Sequence, residues 1–455
     1  MKLIVLVLTG IFFVNLVSLG AQPASENIDY KELIRRYELD WGISPSDEKA
    51  RRQLAILYHD WAMELADEGD LPAAIENEKK AYTLASQEEV VRKTLSVLYN
   101  SYGLELKDQG NVHKSLQSLK SALEYEPDQP QIKKNMAVIH LELAYQAFGK
   151  NEYTNCRRFL KNAEDFDENN PYIYVLSGEV AYALDNYYQA ESDWTQALKL
   201  DPNLYDVAMK LQKLKKDKEL EGNFKVKEVE NFRMKFEGID DQDVAEAAGQ
   251  VLKDAYRSVG QDFNLYPRVV VPVIIYPAEK LKKLDYFPDW AAGTYDGKIR
   301  IGDDLGKSDL MLKGVLYHEY THVLVYILGQ GNVPLWLNEG LAEYEANKFK
   351  KAMHRKARKK MLYKAADKET LFSLDQLGKM NLSKLGHMSA HRIELVYAQS
   401  EAFVTYLINR TSLYDMRKLL EHLGGGDSIH KAVKDVLYVD LETLERDWKT
   451  EINKD

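Results

Sequence analysis

The chain of 455 residues contains one cysteine, Cys156. No intramolecular disulfide can form, so the fold must rest on its core, and a metal site built from several thiolates is excluded. Cys156 lies in a helical pattern and reads as a small buried apolar residue. Basic character is also short. The net charge is -10 and no segment stands out as a basic domain, which argues against nucleic acid as a partner, because phosphate binding needs a cationic surface that releases counterions. The glycine cluster "GGGD" at Gly424 to Asp427 lacks the lysine and the serine or threonine of a phosphate loop. It reads as a turn between helices.

The first residues form the one long apolar run. In "MKLIVLVLTGIFFVNLVSLGAQPASENI", Lys2 precedes the run, and Ser18 and Gly20 supply the small residues before a cut near Gly20 or Ala21. This is the pattern of a secretory signal peptide over residues 1–20. Leu3 to Gly20 is also long enough to span a bilayer as an uncleaved anchor. On either reading the rest of the chain is expected to be exported, periplasmic or secreted, with no stable membrane insertion unless the segment stays uncleaved. A lipid anchor would need a cysteine just after the run, and none is there.

What the sequence has in quantity is helical periodicity. A lead-in over residues 21–51 precedes a region, 52–222, that repeats itself. The unit "LSGEVAYALDNYYQAESDWTQALKLDPN" carries Gly178, Ala190, Trp194, Ala197 and Pro202, and "SYGLELKDQGNVHKSLQSLKSALEYEPD" places Gly103, Ala122 and Pro127 at matching offsets. Asp70, Asn111, Asn151 and Asn186 mark four turns, 41, 40 and 35 residues apart. These units resemble the tetratricopeptide helix-turn-helix repeat. The resemblance implies a solenoid whose groove binds a protein partner, or one that serves as a spacer. Spacings above the usual repeat length imply lengthened helices in the early copies.

Near Asn223 the period changes. "FKVKEVENFRMKF" alternates like a strand, "DQDVAEAAGQVLKDAYRSVG" is an amphipathic helix, "RVVVPVIIYP" is a buried strand and "GTYDGKIRIG" a further strand. Residues 223–455 are therefore expected to be a mixed domain with a small sheet and a helical C-terminal part. The fold class is α+β, an all-α solenoid followed by this second domain.

Within that domain Ser308 can cap, and Gly329 can end, one long apolar helix, "DLMLKGVLYHEYTHVLVYIL". His318 and His322 fall one turn apart on one face, so both imidazoles can meet a single ion, with Glu319 beside them in the HExxH arrangement. A catalytic zinc needs a third protein ligand and an open position for water. A third histidine six residues after His322 is excluded, since Leu328 stands there. After the loop "GQGNVP", the run "LWLNEGLAEYEA" can bring Glu339 back against the first helix.

Together these segments resemble the gluzincin metallopeptidases, in particular peptidase-MA-like domains with "WLNEGLAEY" after HExxH. The resemblance implies a zincin-like fold and one Zn2+ per chain, held by His318, His322 and Glu339, with Glu319 as catalytic base. It further implies that Glu343 orients a ligand histidine and that Tyr397, in "VYAQSEAFVTYLI", stabilises the oxyanion. The substrate would be a peptide or protein, laid along an exposed strand edge at "GTYDGKIRI". Two other readings stay open: a catalytically inert zincin-fold scaffold that binds a partner through its repeats, and a zinc amidase acting on peptidoglycan. His387 and His391 read as exposed loop residues, against a second metal pair or a rival oxyanion donor. The basic run "KFKKAMHRKARKKMLYK" reads as a solvated face.

Overall fold

The turns that join the first helices are set by four residues in the left-handed region. The computed structural model describes residues 29–44, 46–238, 240–284 and 291–452; the leader read at 1–20 lies outside them. Helix α1 (Tyr30–Ile43) precedes the pairs α2 (Glu48–Asp67) and α3 (Leu71–Leu84), α4 (Glu89–Asp108) and α5 (Val112–Tyr125), α6 (Pro130–Gly149) and α7 (Tyr153–Phe166), α8 (Pro171–Ala183) and α9 (Tyr187–Leu200), then α10 (Tyr205–Glu221). Gly69, Gly110, Asn151 and Asp185 hold φ of 88°, 78°, 57° and 63° in the four turns. This corrects the register. Asp70, Asn111 and Asn186 are N-caps of the second helices, whereas Asn151 is the left-handed residue one place earlier, and the third cap is Glu152. First helices of 20 residues in three pairs and 13 in the last account for the unequal spacing.

The chain divides into two compact units between Met136 and Ala137, inside α6. In the first unit α1 closes the end of the array by burying Ile34 against Leu54, Tyr58 and Leu84. The repeat is chemical as well as geometric: Arg51 donates to the Leu84 carbonyl at 2.8 Å, and Arg92 to the Tyr125 carbonyl at 2.6 Å. Each arginine thereby satisfies a carbonyl left open where the second helix ends. In the second unit Cys156 is fully buried beside Leu160 and Leu176.

The sheet begins with β1 (Lys225–Val229) and β2 (Phe232–Phe236), crosses through α11 (Asp240–Phe263) to β3 (Val271–Tyr276), and after α12 (Ala278–Leu281) ends with β4 (Gly293–Tyr295) and β5 (Ile299–Gly302). Strand order is β1-β2-β3-β5-β4, with β2, β3 and β5 parallel and both outer strands antiparallel to their neighbours. The expected mixed sheet is present, but two of its segments were read too simply. "FKVKEVENFRMKF" and "GTYDGKIRIG" are each a hairpin, turned at Glu230 (φ 52°) and Gly297 (φ 96°). Alternation runs through such short turns unbroken, so period alone hides them; the Asp-Gly pair was the local signal.

The two faces of the sheet differ. Phe232, Met234, Val273, Ile275, Ile299 and Ile301 enter the main core, packed on α11 and α13 (Asp309–Gly329). The opposite face carries Lys235, Lys298 and Arg300, and α10 with the α8–α9 turn covers it. Lys235 and Lys298 reach Asp185 at 2.9 and 2.7 Å, Lys235 reaches Glu221 at 2.8 Å, and Arg300 reaches Asp217 at 3.0 Å. Tyr182 and Tyr187 donate to Asp217 and Glu221, each at 2.7 Å. Asp296, in the β4–β5 turn, pairs with both Arg300 and Lys213. Lys298 and Arg300 are 0% exposed, a burial that charged groups tolerate only when paired.

The remaining helices are α14 (Leu335–Ala346), α15 (Ala352–Asp367), α16 (Leu374–Gly378), α17 (Leu382–Gly386), α18 (Ala390–Arg410), α19 (Leu413–Gly424), α20 (Ile429–Leu437) and α21 (Leu441–Ile452). "GGGD" is the α19–α20 turn, as read. No described helix is long and apolar enough to cross a membrane.

Candidate metal centre

Helix α13 starts where expected, with the Ser308 hydroxyl accepting from the Met311 amide at 3.4 Å. It ends one residue late: Gly329 is its last helical residue, and Gln330, with φ 52°, is the left-handed cap. Its middle is buried among apolar side chains, so His318 and His322 are held by packing on both sides. The loop after Gln330 returns the chain as α14, which brings Glu339 against them.

Atoms of His318, His322 and Glu339 all lie within 4.8 Å of one another. The two Nε2 atoms are 3.1 Å apart, and Glu339 Oε2 sits 3.5 Å from one and 3.6 Å from the other. The outer nitrogens are engaged elsewhere: His318 Nδ1 lies 3.5 Å from Glu343 Oε1, and His322 Nδ1 lies 2.9 Å from Asn338 Oδ1. Since an amide oxygen only accepts, His322 Nδ1 carries its hydrogen, and its Nε2 lone pair faces His318 Nε2 and a carboxylate oxygen. Glu339 Oε2 is buried with no hydrogen-bond partner. Three electron-rich atoms converging in a buried space require a cation between them, so the residues present fit a metal ion.

The electrostatics agree. Burial opposes charge on His318, yet the close carboxylates of Glu339, Glu319 and Glu343 hold it up to about 9. Burial, with charged His318 beside it, pushes His322 down despite Glu339. One proton thus serves the cluster as its cation when no metal is bound. Burial raises Glu319 to about 8, against the pull of His318. Glu343 goes the other way: its burial is overcome by His318, Arg358 and Lys350, which hold it at about 2.

Glu319 is 3% exposed, and its Oε2 also lacks a partner. Strand β4 passes it at Gly293, where an added Cβ would fall 2.8 Å from Glu319 Oε1. Two cavities of about 520 and 510 Å³ open on either side, and Gly293, His318, Glu319 and Tyr397 border both. Tyr397 is therefore on the wall of the site, on α18. Gly340, next to Glu339, lets α14 approach α18: a Cβ there would meet the Ser400 carbonyl oxygen at 2.5 Å. Gly340→Ala is expected to cost about 1–3 kcal/mol through overpacking, as denaturant titration of the variant would show.

Three partners of the cluster were missed by sequence reasoning. Asn338 precedes Glu339 and would have been found by asking what holds the second nitrogen of His322, as was asked for His318. Lys350 and Arg358 belong to the basic run read as a solvated face. Most of α15 is solvated, but these two turn inward onto Glu343, and Arg358 also reaches Glu394 at 2.6 Å. His387 and His391 are exposed and outside the cluster, with His391 in α18 rather than in a loop.

Residues 262–454 match the family model described as the Peptidase MA superfamily. This region is peptidase-MA-like. No curated protein matches the chain. Among solved structures, a thermophilic TPR protein of Thermus thermophilus is similar at 19% identity over 41% of this chain and 90% of its own, with a TM-score of 0.18; at that score the likeness carries no argument. The tetratricopeptide-like character rests on the helix pairs and their left-handed turns.

Proposed function

We propose that the protein is an exported zinc-dependent peptidase with one Zn2+ per chain, whose repeats dock a substrate or a protein partner. The observation that carries this reading is the convergence of His318, His322 and Glu339 beside Glu319 in an open cleft. Zinc held by that triad would supply Lewis acidity to a water and to the scissile carbonyl. The chain's own groups do the rest. A divalent cation nearby draws the Glu319 carboxyl back toward its ionised form, and its unpartnered Oε2 takes the water's proton and delivers it to the leaving amine. The Tyr397 hydroxyl donates to the carbonyl oxygen as that atom gains charge. Asn338 and Glu343 fix the two imidazoles through their Nδ1–H groups. The free side of β4, an edge strand, gives an extended peptide main-chain partners next to Glu319.

The test is metal analysis of the purified chain with a peptide-library digest. Near-stoichiometric zinc that is lost in His318→Ala, with cleavage stopped by chelator and restored by zinc, is the expected result. A wild type that takes up no zinc would overturn the reading.

Zinc uptake should also move a proton. His318, lifted to about 9, is charged near neutral pH in the metal-free protein. Binding there expels that proton, and the cation also ionises Glu319, so between about one and two protons are released per zinc, and apparent affinity rises with pH until both groups have lost theirs. Calorimetric titrations in buffers of different ionisation enthalpy measure this directly. Identical heats in all buffers would contradict it.

A further inference from the structure

We propose that the half of the cleft bordered by the start of α15 selects acidic residues of the peptide. This rests on the peptidase reading and adds the substrate class. The two cavities beside Glu319 are nearly equal in size but differ in the basic residues that line them. The first is lined by Lys350, Lys351, His354 and Arg358. The second has no lysine or arginine among its described lining residues; it presents Tyr295, Tyr326, Val333, Leu335 and Met380, together with Asp296.

Of the three lysine and arginine side chains that line the first cavity, one is not held by an acid. Lys350 and Arg358 are committed to Glu343, and Arg358 also to Glu394. Lys351 and His354 are exposed and have no ion-pair partner among the described residues. Lys351 is also the N-cap of the 16-residue helix α15 and makes no side-chain capping bond. A further hollow of about 320 Å³, lined by Lys350, His354 and Arg358, extends this wall away from the metal centre. A carboxylate entering here meets the Lys351 ammonium, which no acid neutralises. A lysine side chain meets repulsion.

An exposed charge pair contributes up to about fivefold in affinity, and Lys351 supplies one such pair. The experiment uses two fluorescein-labelled peptides that share an apolar half and differ in carrying glutamates or lysines in the other. Binding is read by fluorescence anisotropy on full-length Glu319→Gln protein without metal. The glutamate peptide is expected to bind roughly fivefold tighter, and in the added Lys351→Glu/His354→Glu background the preference should vanish or reverse. Equal binding of the two peptides, or a preference that survives that double substitution, overturns the proposal. Turnover of the same peptides by zinc-loaded wild type is read separately. If neither is cut while the binding preference holds, the peptidase reading fails and the charge selection stands.

Discussion

On the proposed function, Glu319→Gln leaves a folded chain that keeps its zinc and hydrolyses peptides at least about a hundredfold more slowly, the lower end of what a positioned general base contributes. The metal should stay because Glu319 is not one of the three converging ligands; its carboxyl lies beside them, near Gly293 of β4. Folding should survive because glutamine is nearly isosteric and Glu319 Oε2 makes no hydrogen bond that the exchange would break. Removing a carboxyl that burial already lifts to about 8 also removes a desolvation cost. The variant should be at least as stable as wild type. Paired measurements of kcat/KM on a quenched fluorescent peptide and of bound zinc decide the matter. Equal rates in the two proteins would remove Glu319 from the mechanism, and loss of zinc would make it a ligand.

Arg300→Ala is expected to destabilise the second unit by about 3–5 kcal/mol, the usual consequence of deleting one partner of a buried ion pair. Arg300 is fully buried and holds Asp217 and Asp296, while Tyr182 also reaches it at 3.0 Å. Without the guanidinium, Asp296 keeps Lys213 and Asp217 keeps Tyr182, but both carboxylates lose their strongest neutraliser. The same cluster predicts acid sensitivity. Asp296 and Asp185 are both pressed upward by burial, but Arg300 and Lys213 hold the first, and Lys298 and Lys235 the second, at about 2. Because their folded values lie below the unfolded ones near 3.8, they stabilise the native state above pH ~4 and lose that effect as pH falls toward 2. Denaturant melts of wild type and Arg300→Ala at neutral pH and near pH 3 test both statements. A variant within about 1 kcal/mol of wild type would mean that the cluster contributes little.

The sequence yields the helices most readily where local chemistry and periodicity agree. Ser308 caps α13, and the HExxH spacing then places two imidazoles on one face by helix geometry alone. Glu339 could be named because "WLNEGLAEY" after HExxH resembles the gluzincin pattern, and the short loop allows α14 to return along α13. Less visible were groups whose partners come from distant segments. Lys298 and Arg300 alternate with Ile299 and Ile301, a pattern that marks two faces without saying what covers the polar one. Only the fold reveals that α10 covers it. Arg358 was hidden for the same reason, in a run of cations of which most do face water.

Asp185 limits how this array can change in length. The corresponding turn residues in the first two repeats are Gly69 and Gly110, chosen for backbone freedom. The last repeat places an aspartate there and uses its carboxylate to neutralise Lys235 and Lys298. The third pair is tied down as well, since Gln330 donates to the Gly149 carbonyl at 3.0 Å. Exchanging the final copy for an earlier one would leave Lys298 without its carboxylate and Lys235 with Glu221 alone, so variation in repeat number should arise toward the front.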